Sequence, residues 1–357
     1  MMTDTDSVTD KVASLDAAGN HDEAVNQLAR ATQAGNLHAM TALGKRLLVG
    51  DRAPYLPKEG ADMVLEAANK GNAQAIAQVA VMQCTGVYQQ KNWEHCFNSL
   101  TWAARLGWLP AREQLLLLSG QPLADIAAQL EHGDDAFWQA LGQSIDTSNW
   151  FSAPPGTALH TDPRVMSFIN FIPPEICQML ILQSASRLQP ALVYDPINRR
   201  NIRYKTRTNS IAQFNLVEND VIHFLLQEHM SAACAVPMIQ MEATAILNYQ
   251  PGEEISNHFD FVDPELPNYA QEIADNGQRI ITFLIYLNDD YEGGETAFPE
   301  LGISHKGQAG EGLYFVNSLP DGSPDIRTLH AGLPPASGQK WIVSQFIRNR
   351  PVKYILD

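Results

Sequence analysis

The sequence has little of what marks secreted, membrane-spanning or nucleic-acid-binding proteins. Its 357 residues include four cysteines without metal-binding or paired spacing, which favours reduced thiols and a cytoplasmic location. It has no apolar run long enough to cross a membrane, and its acidic start is unlike a signal peptide. Lysine and arginine number 24 against 40 acidic residues, and the net charge of −16 argues against a nucleic-acid partner. The length is typical of two globular domains.

The first half of the chain contains an internal repeat. Small residues recur at intervals of 36, at Gly35, Gly71 and Gly107 and again at Ala39, Ala75 and Ala111. A shared period of this length predicts stacked helical hairpins, because alanines let helices approach closely and glycines end them. The repeated unit resembles Sel1-like repeats, which are related to the tetratricopeptide class. We therefore expect a helical repeat solenoid over residues 1–150, with residues 117–145 as capping helices.

A loop signal, Ser152-Ala-Pro-Pro-Gly156, separates this half from a second domain predicted at residues 151–357. From Met241 onward, short apolar runs alternate with turns rich in Gly, Pro and Asn. The runs cover residues 243–249, 280–287, 313–316 and 341–347. This pattern is typical of strands in a jelly roll, also called a double-stranded β-helix. The predicted class is thus α+β, with a helical domain followed by a β domain.

His258 and Asp260 are the first candidate functional residues. In an extended segment, residues two apart share a face, so the imidazole and the carboxylate lie side by side. His330 adds a second histidine from a distant segment. Two histidines and one carboxylate form the facial triad that holds Fe(II) in non-haem oxygenases and leaves positions open for cosubstrate and O2. By itself, His258–Asp260 is also compatible with a surface histidine next to a turn.

The surrounding blocks resemble the catalytic domain of the prolyl 4-hydroxylase family of Fe(II)/2-oxoglutarate dioxygenases over about residues 170–350. The matching blocks are Arg207-Thr-Asn-Ser210, Asn248-Tyr249, His258-Phe-Asp260, the run from Arg279 to Asn288, the run from Gly293 to Pro299, Leu313 to Asn317, His330-Ala-Gly332 and Gly338-Gln-Lys-Trp341. The resemblance implies a jelly-roll fold, catalysis at His258, Asp260 and His330 with bound Fe(II), 2-oxoglutarate and O2 as cosubstrates, and ascorbate as reductant.

The resemblance also implies roles for residues near the cosubstrate and the substrate. Lys340 is placed to bind the distal carboxylate of 2-oxoglutarate, with Tyr249 and Thr296 supplying hydroxyl groups. A lysine offers a single point charge and therefore needs such help. Arg279 begins an otherwise apolar strand and is expected to face the substrate, although a salt bridge at the rim remains an alternative.

The chain departs from peptide prolyl hydroxylases around the substrate. Phe346 and Arg348 stand where those enzymes tend to carry Trp and His, and Ile255 and Asn257 replace a Tyr and a Pro near the metal histidine. We expect Phe346 and Arg348 to contact the substrate.

The sequence therefore predicts a dioxygenase that hydroxylates an unactivated C–H bond, most simply in a prolyl residue of a peptide or protein that docks on the repeats. A free amino acid or another small metabolite is the alternative substrate. A helical-repeat scaffold with a degenerate barrel and a zinc hydrolase are alternatives of other classes. No membrane or nucleic-acid partner is expected.

Overall fold

The computed structural model describes residues 4–120, 129–130, 133–195, 200–266 and 269–352. The chain forms two compact units. One consists mainly of Met1–Thr147 together with Asn215–Leu225, and the other of Ser148–Phe214 with Leu226–Leu356. The first is helical and the second is built on antiparallel sheets.

The helical unit is a series of helices in which each packs against the next one along the chain. Its helices are α1 (Asp4–Ala17), α2 (His21–Gln33), α3 (Leu37–Val49), α4 (Pro57–Asn69), α5 (Ala73–Thr85), α6 (Trp93–Arg105), α7 (Leu109–Leu118) and α8 (Asp135–Ser144). Capping helices were expected at residues 117–145. In this range, residues 121–128 and 131–132 lie outside the described part of the chain, and α8 is present.

Helix-capping residues recur at the same interval of 36 residues as the sequence repeat. Asn36 and Asn72 each accept a hydrogen bond from the backbone N–H three residues on, which satisfies a donor of the first helical turn. Gly50 and Gly86 end the same two helices in the left-handed conformation. Close packing requires small residues as well, since a Cβ on Gly60 would lie 2.5 Å from the backbone nitrogen of Leu48.

The second unit contains an eight-stranded and a four-stranded antiparallel sheet. The larger has the order β1-β2-β13-β9-β16-β7-β6-β3 and the smaller the order β12-β11-β14-β8. The strands of the larger sheet are β1 (Thr157–Thr161), β2 (Arg164–Phe168), β3 (Gln189–Pro190), β6 (Ser210–Gln213), β7 (Ala245–Tyr249), β9 (Arg279–Tyr286), β13 (Gly312–Val316) and β16 (Lys340–Arg348). Those of the smaller are β8 (Ile255–His258), β11 (Thr296–Phe298), β12 (Ile303–His305) and β14 (His330–Gly332).

The four strands predicted from apolar runs are the four adjacent strands β13, β9, β16 and β7 at the centre of the larger sheet. Separate two-stranded sheets are formed by β4 (Val193–Asp195) with β5 (Arg200–Ile202) and by β10 (Glu292–Gly293) with β15 (Pro335–Ser337). The unit also contains α9 (Pro174–Ala185), most of α10 (Val221–Cys234), and α11 (Tyr269–Asn276).

Both sheets contribute to one apolar core. Leu284, Tyr286 and Phe315 come from the larger sheet, and Ile255 and Phe298 come from the smaller one. Alternate residues of a strand share a face, so these positions line the space between the sheets. Among the described residues, no helix has both the length and the apolar character needed to cross a membrane.

Candidate active site

The two candidate histidines lie opposite each other in the smaller sheet. His258 ends β8 and His330 begins β14, and the two are paired in the antiparallel register of these strands. Asp260 follows β8 by two residues. The potential ligand atoms of the three side chains all lie within 4.8 Å of one another. The structure therefore brings together all three predicted metal ligands.

Backbone carbonyl groups fix the orientation of both imidazole rings. His258 Nδ1 lies 2.9 Å from the carbonyl oxygen of Ser256, and His330 Nδ1 lies 3.0 Å from that of Thr328. A carbonyl oxygen only accepts hydrogen bonds, so each Nδ1 carries the proton. Each Nε2 then presents its lone pair to the shared centre, as a metal-binding histidine requires. Both Nε2 atoms lie 3.3 Å from an oxygen of Asp260.

A chain of two hydrogen bonds orients the Asp260 carboxylate, and the sequence analysis did not single out either of the two residues that form it. Thr282 Oγ1 donates a hydrogen bond to Asp260 Oδ2, and Asn317 Nδ2 donates one to Thr282 Oγ1. Burial raises the pKa of the Asp260 carboxyl, but His330 and His258 outweigh it and hold that pKa well below its usual range. The carboxylate is therefore charged and oriented before any ligand binds.

Gln278 fixes the chain just after Asp260. Its Oε1 accepts hydrogen bonds from the backbone N–H groups of Val262 and Arg279, and its Nε2 donates to the carbonyl oxygen of Val262. The Gln278 side chain thus bonds the backbone of the segment after β8 in the way that a neighbouring strand would. The only sequence signal for it is a polar residue placed directly before an apolar strand.

Aromatic rings enclose His330. The rings of Phe315 and Phe298 have centroids 4.6 Å and 5.5 Å from that of His330, and His330 is 5% exposed. His258 is more open, with its side chain 31% exposed. The centre is thus apolar on the His330 side and accessible on the His258 side.

Lys340 lies at the start of β16 and is completely buried. Within the described part of the chain, its Nζ has no hydrogen-bond partner. Burial lowers the pKa of this ammonium group to about 7, against a smaller opposing effect of Glu295. A buried cation without a partner costs free energy unless a ligand compensates it. The site therefore has a place for an anion that the protein itself does not provide.

Three hydroxyl groups accompany Lys340. Its Nζ lies 5.2 Å from the ring centroid of Tyr249 and 5.8 Å from that of Tyr286. Tyr286 donates a hydrogen bond to Thr296 Oγ1, which leaves the Thr296 hydroxyl proton available for another acceptor. Tyr249 and Thr296 were predicted at this place and Tyr286 was not, although it lies in the apolar strand that the sequence analysis identified.

These two groups of residues fit a metal ion with a chelating dicarboxylate cosubstrate. Two Nε2 lone pairs and one carboxylate are the donor set of a non-haem iron centre. The unpartnered ammonium of Lys340, with hydroxyl groups beside it, suits the distal carboxylate of 2-oxoglutarate.

Comparison with known proteins agrees with this chemistry. Residues 244–348 match the model of the 2OG-Fe(II) oxygenase superfamily. The probable prolyl 4-hydroxylase 9 of Arabidopsis thaliana is 30% identical over 214 residues, which cover 55% of this chain and 72% of that protein. The chain belongs to the prolyl 4-hydroxylase family.

Other members of the prolyl 4-hydroxylase family match the same half of the chain. Subunit alpha-1 of prolyl 4-hydroxylase from Gallus gallus is 28% identical over 188 residues, or 53% of this chain and 36% of that subunit. Among solved structures, the viral collagen prolyl hydroxylase of Paramecium bursaria Chlorella virus-1 in its 2OG complex covers 52% of this chain and 95% of its own, at 26% identity and a TM-score of 0.40.

This prolyl 4-hydroxylase family member is a 2-oxoglutarate-dependent dioxygenase, and its family uses Fe(II), 2-oxoglutarate and O2. Arg279 forms the kind of salt bridge that the sequence analysis gave as the alternative to substrate contact. Arg279 forms a two-pronged ion pair with Glu242, at 2.7 Å and 2.8 Å, and its guanidinium group lies 3.8 Å from the ring centroid of Phe346.

Arg348 shares Glu242 with Arg279, at 2.6 Å, and also pairs with Glu272 of α11. Arg279 thus contacts Phe346 and shares Glu242 with Arg348. Their contact with substrate remains a prediction. Each of the three nitrogen atoms of the Arg348 guanidinium donates a hydrogen bond within the protein, to Glu242, to Glu272 and to the carbonyl oxygen of Gly277.

Proposed function

We propose that this protein hydroxylates a prolyl residue in a peptide or protein, with Fe(II) held by His258, Asp260 and His330. The observation that carries the proposal is the buried, unpartnered Lys340 in the same core as the triad. When bound, Fe(II) supplies O2 activation, and the oxidative decarboxylation of 2-oxoglutarate to succinate and CO2 accompanies insertion of one oxygen atom into a C–H bond. Ascorbate is the proposed reductant.

The protein's own residues do the positioning. Lys340 neutralises the distal carboxylate of 2-oxoglutarate, while the hydroxyl groups of Tyr249 and Thr296 donate to the same group. Thr282, which accepts a hydrogen bond from Asn317, donates one to Asp260 and fixes the orientation of that carboxylate. The aromatic wall of Phe298 and Phe315 keeps water away from the His330 side.

A prolyl substrate is supported by the names of the relatives, which include prolyl 4-hydroxylases of Arabidopsis thaliana and Gallus gallus. At the rim, Phe346 and the Arg279 guanidinium form a flat stacked surface suited to a ring or a peptide plane. A free amino acid remains the alternative substrate, and the rim residues that replace the usual Trp and His are the reason to test it.

We further propose that the sheet unit is a double-stranded β-helix and that the helices of residues 1–150 are Sel1-like repeats. The helix caps Asn36 and Asn72 are separated by the same 36 residues as the sequence repeat, and this supports the second assignment. The proposed location is the cytoplasm, because the four cysteines are free, three of them buried.

Two measurements on the full chain test the function. Purified protein with Fe(II) and 2-oxoglutarate is first assayed for succinate without substrate, and then with proline peptides and with free proline. We expect the peptides to stimulate turnover and to gain one oxygen atom by mass spectrometry. Stimulation by free proline alone would contradict the peptide assignment. The absence of succinate from every mixture would contradict 2-oxoglutarate-dependent dioxygenase activity.

A further inference from the structure

A short basic segment stands out in this acidic protein. Arg203, Lys205 and Arg207 alternate along five residues without an acidic residue between them, whereas the whole chain carries 24 basic and 40 acidic residues. The segment forms a tight turn, in which the backbone N–H of Arg207 donates to the carbonyl oxygen of Tyr204. Arg203 and Lys205 are exposed on this turn, whereas Arg207 is partly buried.

This turn is attached directly to the strand that carries the metal ligand His258. The backbone N–H of Ser256 donates to the carbonyl oxygen of Thr206 at 2.8 Å, and Arg207 forms a β-bridge with Ile255. His258 is three residues further along β8, which corresponds to roughly 10 Å in an extended strand. The basic turn is therefore bonded to the strand that ends at a ligand of the candidate metal centre.

Across the described residues, none of Arg203, Lys205 and Arg207 takes part in an ion pair, and Arg207 Nε is buried without a hydrogen-bond partner. Arg203 and Lys205 are exposed.

Glu253 and Glu254 lie on the neighbouring segment, and among the described residues neither forms an ion pair with Arg203 or Lys205. Glu254 Oε1 accepts a hydrogen bond from Ser256 Oγ, and Glu253 Oε2 accepts one from the backbone N–H of Gln250. Unpaired cations concentrated beside a reaction centre favour a partner of opposite charge.

We propose that Arg203 and Lys205, the exposed cations of this turn, dock acidic side chains of the substrate peptide, about three positions from the residue that reacts. The spacing follows from the distance along β8, since an extended peptide also advances by roughly 3.3 Å per residue. This inference rests on the proposed peptide substrate. A nucleic acid, the other common partner of a basic surface, is disfavoured by the strongly negative charge of the rest of the chain.

The test measures peptide binding separately from hydroxylation. Labelled peptides with a central proline carry glutamate, serine or lysine about three positions away, and a second set has alanine in place of the proline. Binding to the full-length, metal-free protein is followed by fluorescence anisotropy. We expect the acidic peptides of both sets to bind about tenfold more tightly than the neutral ones, because each exposed ion pair changes an equilibrium constant by up to about fivefold.

Charge reversal supplies the matched comparison. Arg203→Glu with Lys205→Glu should abolish the preference for acidic peptides or turn it into one for the lysine peptides. Arg164→Glu, an exposed change on β2 near the other edge of the larger sheet, should leave the preference intact. Equal binding of the three peptide charges, an equal effect of Arg164→Glu, or binding of a single-stranded oligonucleotide in place of the acidic peptide would overturn the docking proposal.

The docking proposal and the proposed function fail in different ways. If acidic peptides bind as expected but no proline gains an oxygen atom, the docking surface stands and the prolyl assignment is wrong. If prolines are hydroxylated whatever charge surrounds them and binding shows no preference, the prolyl assignment stands and the docking proposal is wrong.

Discussion

Thr282 Oγ1 lies 2.7 Å from Asp260 Oδ2, and this hydrogen bond fixes the one negatively charged ligand of the candidate metal centre. Thr282 is 1% exposed, and its hydroxyl oxygen in turn accepts a hydrogen bond from Asn317. The hydrogen bonds from Asn317 to Thr282 to Asp260 connect the residue after β13 with β9 and with the second residue after β8. The hydroxyl group of Thr282, which lies within an apolar strand, thus orients the Asp260 carboxylate.

Thr282→Val should weaken Fe(II) binding by about ten- to a hundredfold, the usual effect of removing a residue that orients a metal ligand. The side chain keeps its shape and loses only the hydroxyl group. Metal titration of the purified variant measures the effect. Thr244→Val is the matched control, because Thr244 is also buried and bonds to Gln345 away from the triad. Similar iron affinity in the two variants would contradict the orienting role.

Alanine at His258, Asp260 or His330 should abolish 2-oxoglutarate turnover, since each supplies a third of the protein's hold on the metal. His95→Ala, a change at an exposed histidine of α6, should leave turnover unchanged. Succinate formation measures the activity, and circular dichroism shows whether each variant is folded. A triad variant with near-normal iron affinity and turnover would remove that residue from the metal site.

The affinity for 2-oxoglutarate should fall as the pH rises above about 7. Burial lowers the pKa of Lys340 to about 7 in the free protein, so the amine is charged below that pH and neutral above it. A bound carboxylate favours the charged form, and binding at higher pH must therefore include uptake of a proton. Calorimetry across this range measures the effect. Lys340→Met should bind weakly at every pH, and an unchanged profile in that variant would show that another group titrates.

Glu242→Gln should destabilise the protein by roughly 3–5 kcal/mol, because it leaves two largely buried guanidinium groups without their shared carboxylate. The expected effect on 2-oxoglutarate affinity is small, since Glu242 is not part of the Lys340 group. Urea unfolding and a 2-oxoglutarate titration on the same variant separate the two quantities. A large loss of cosubstrate affinity with normal stability would contradict this assignment.

The metal ligands could be proposed from their residue types and spacing, since His258 and Asp260 are two residues apart in the sequence. Lys340, Tyr249 and Thr296 were assigned to the cosubstrate by the resemblance to the prolyl 4-hydroxylase family. The four central strands were visible because a strand covered on both faces is continuously apolar. The strongest signals therefore came from residues whose neighbours in the sequence are also their neighbours in space.

The supporting residues could not be assigned because their partners are distant in the sequence. Glu242 meets Arg279 and Arg348 only once β9 and β16 are paired, and Asn317 reaches Asp260 only through Thr282. A single threonine in an apolar run, such as Thr282, indicates that its hydroxyl group has a role but does not identify the residue to which it bonds. The partner is a property of strand order, which the apolar pattern does not determine.

The unpartnered ammonium of Lys340 has a consequence for the lifetime of the protein as well as for its chemistry. A ligand that compensates this buried charge binds the folded chain and not the unfolded one, so it raises the free energy of unfolding as its concentration rises. Proteases degrade the transiently unfolded form. We therefore expect the enzyme to persist longest in cells rich in 2-oxoglutarate and to be cleared faster when this metabolite is scarce.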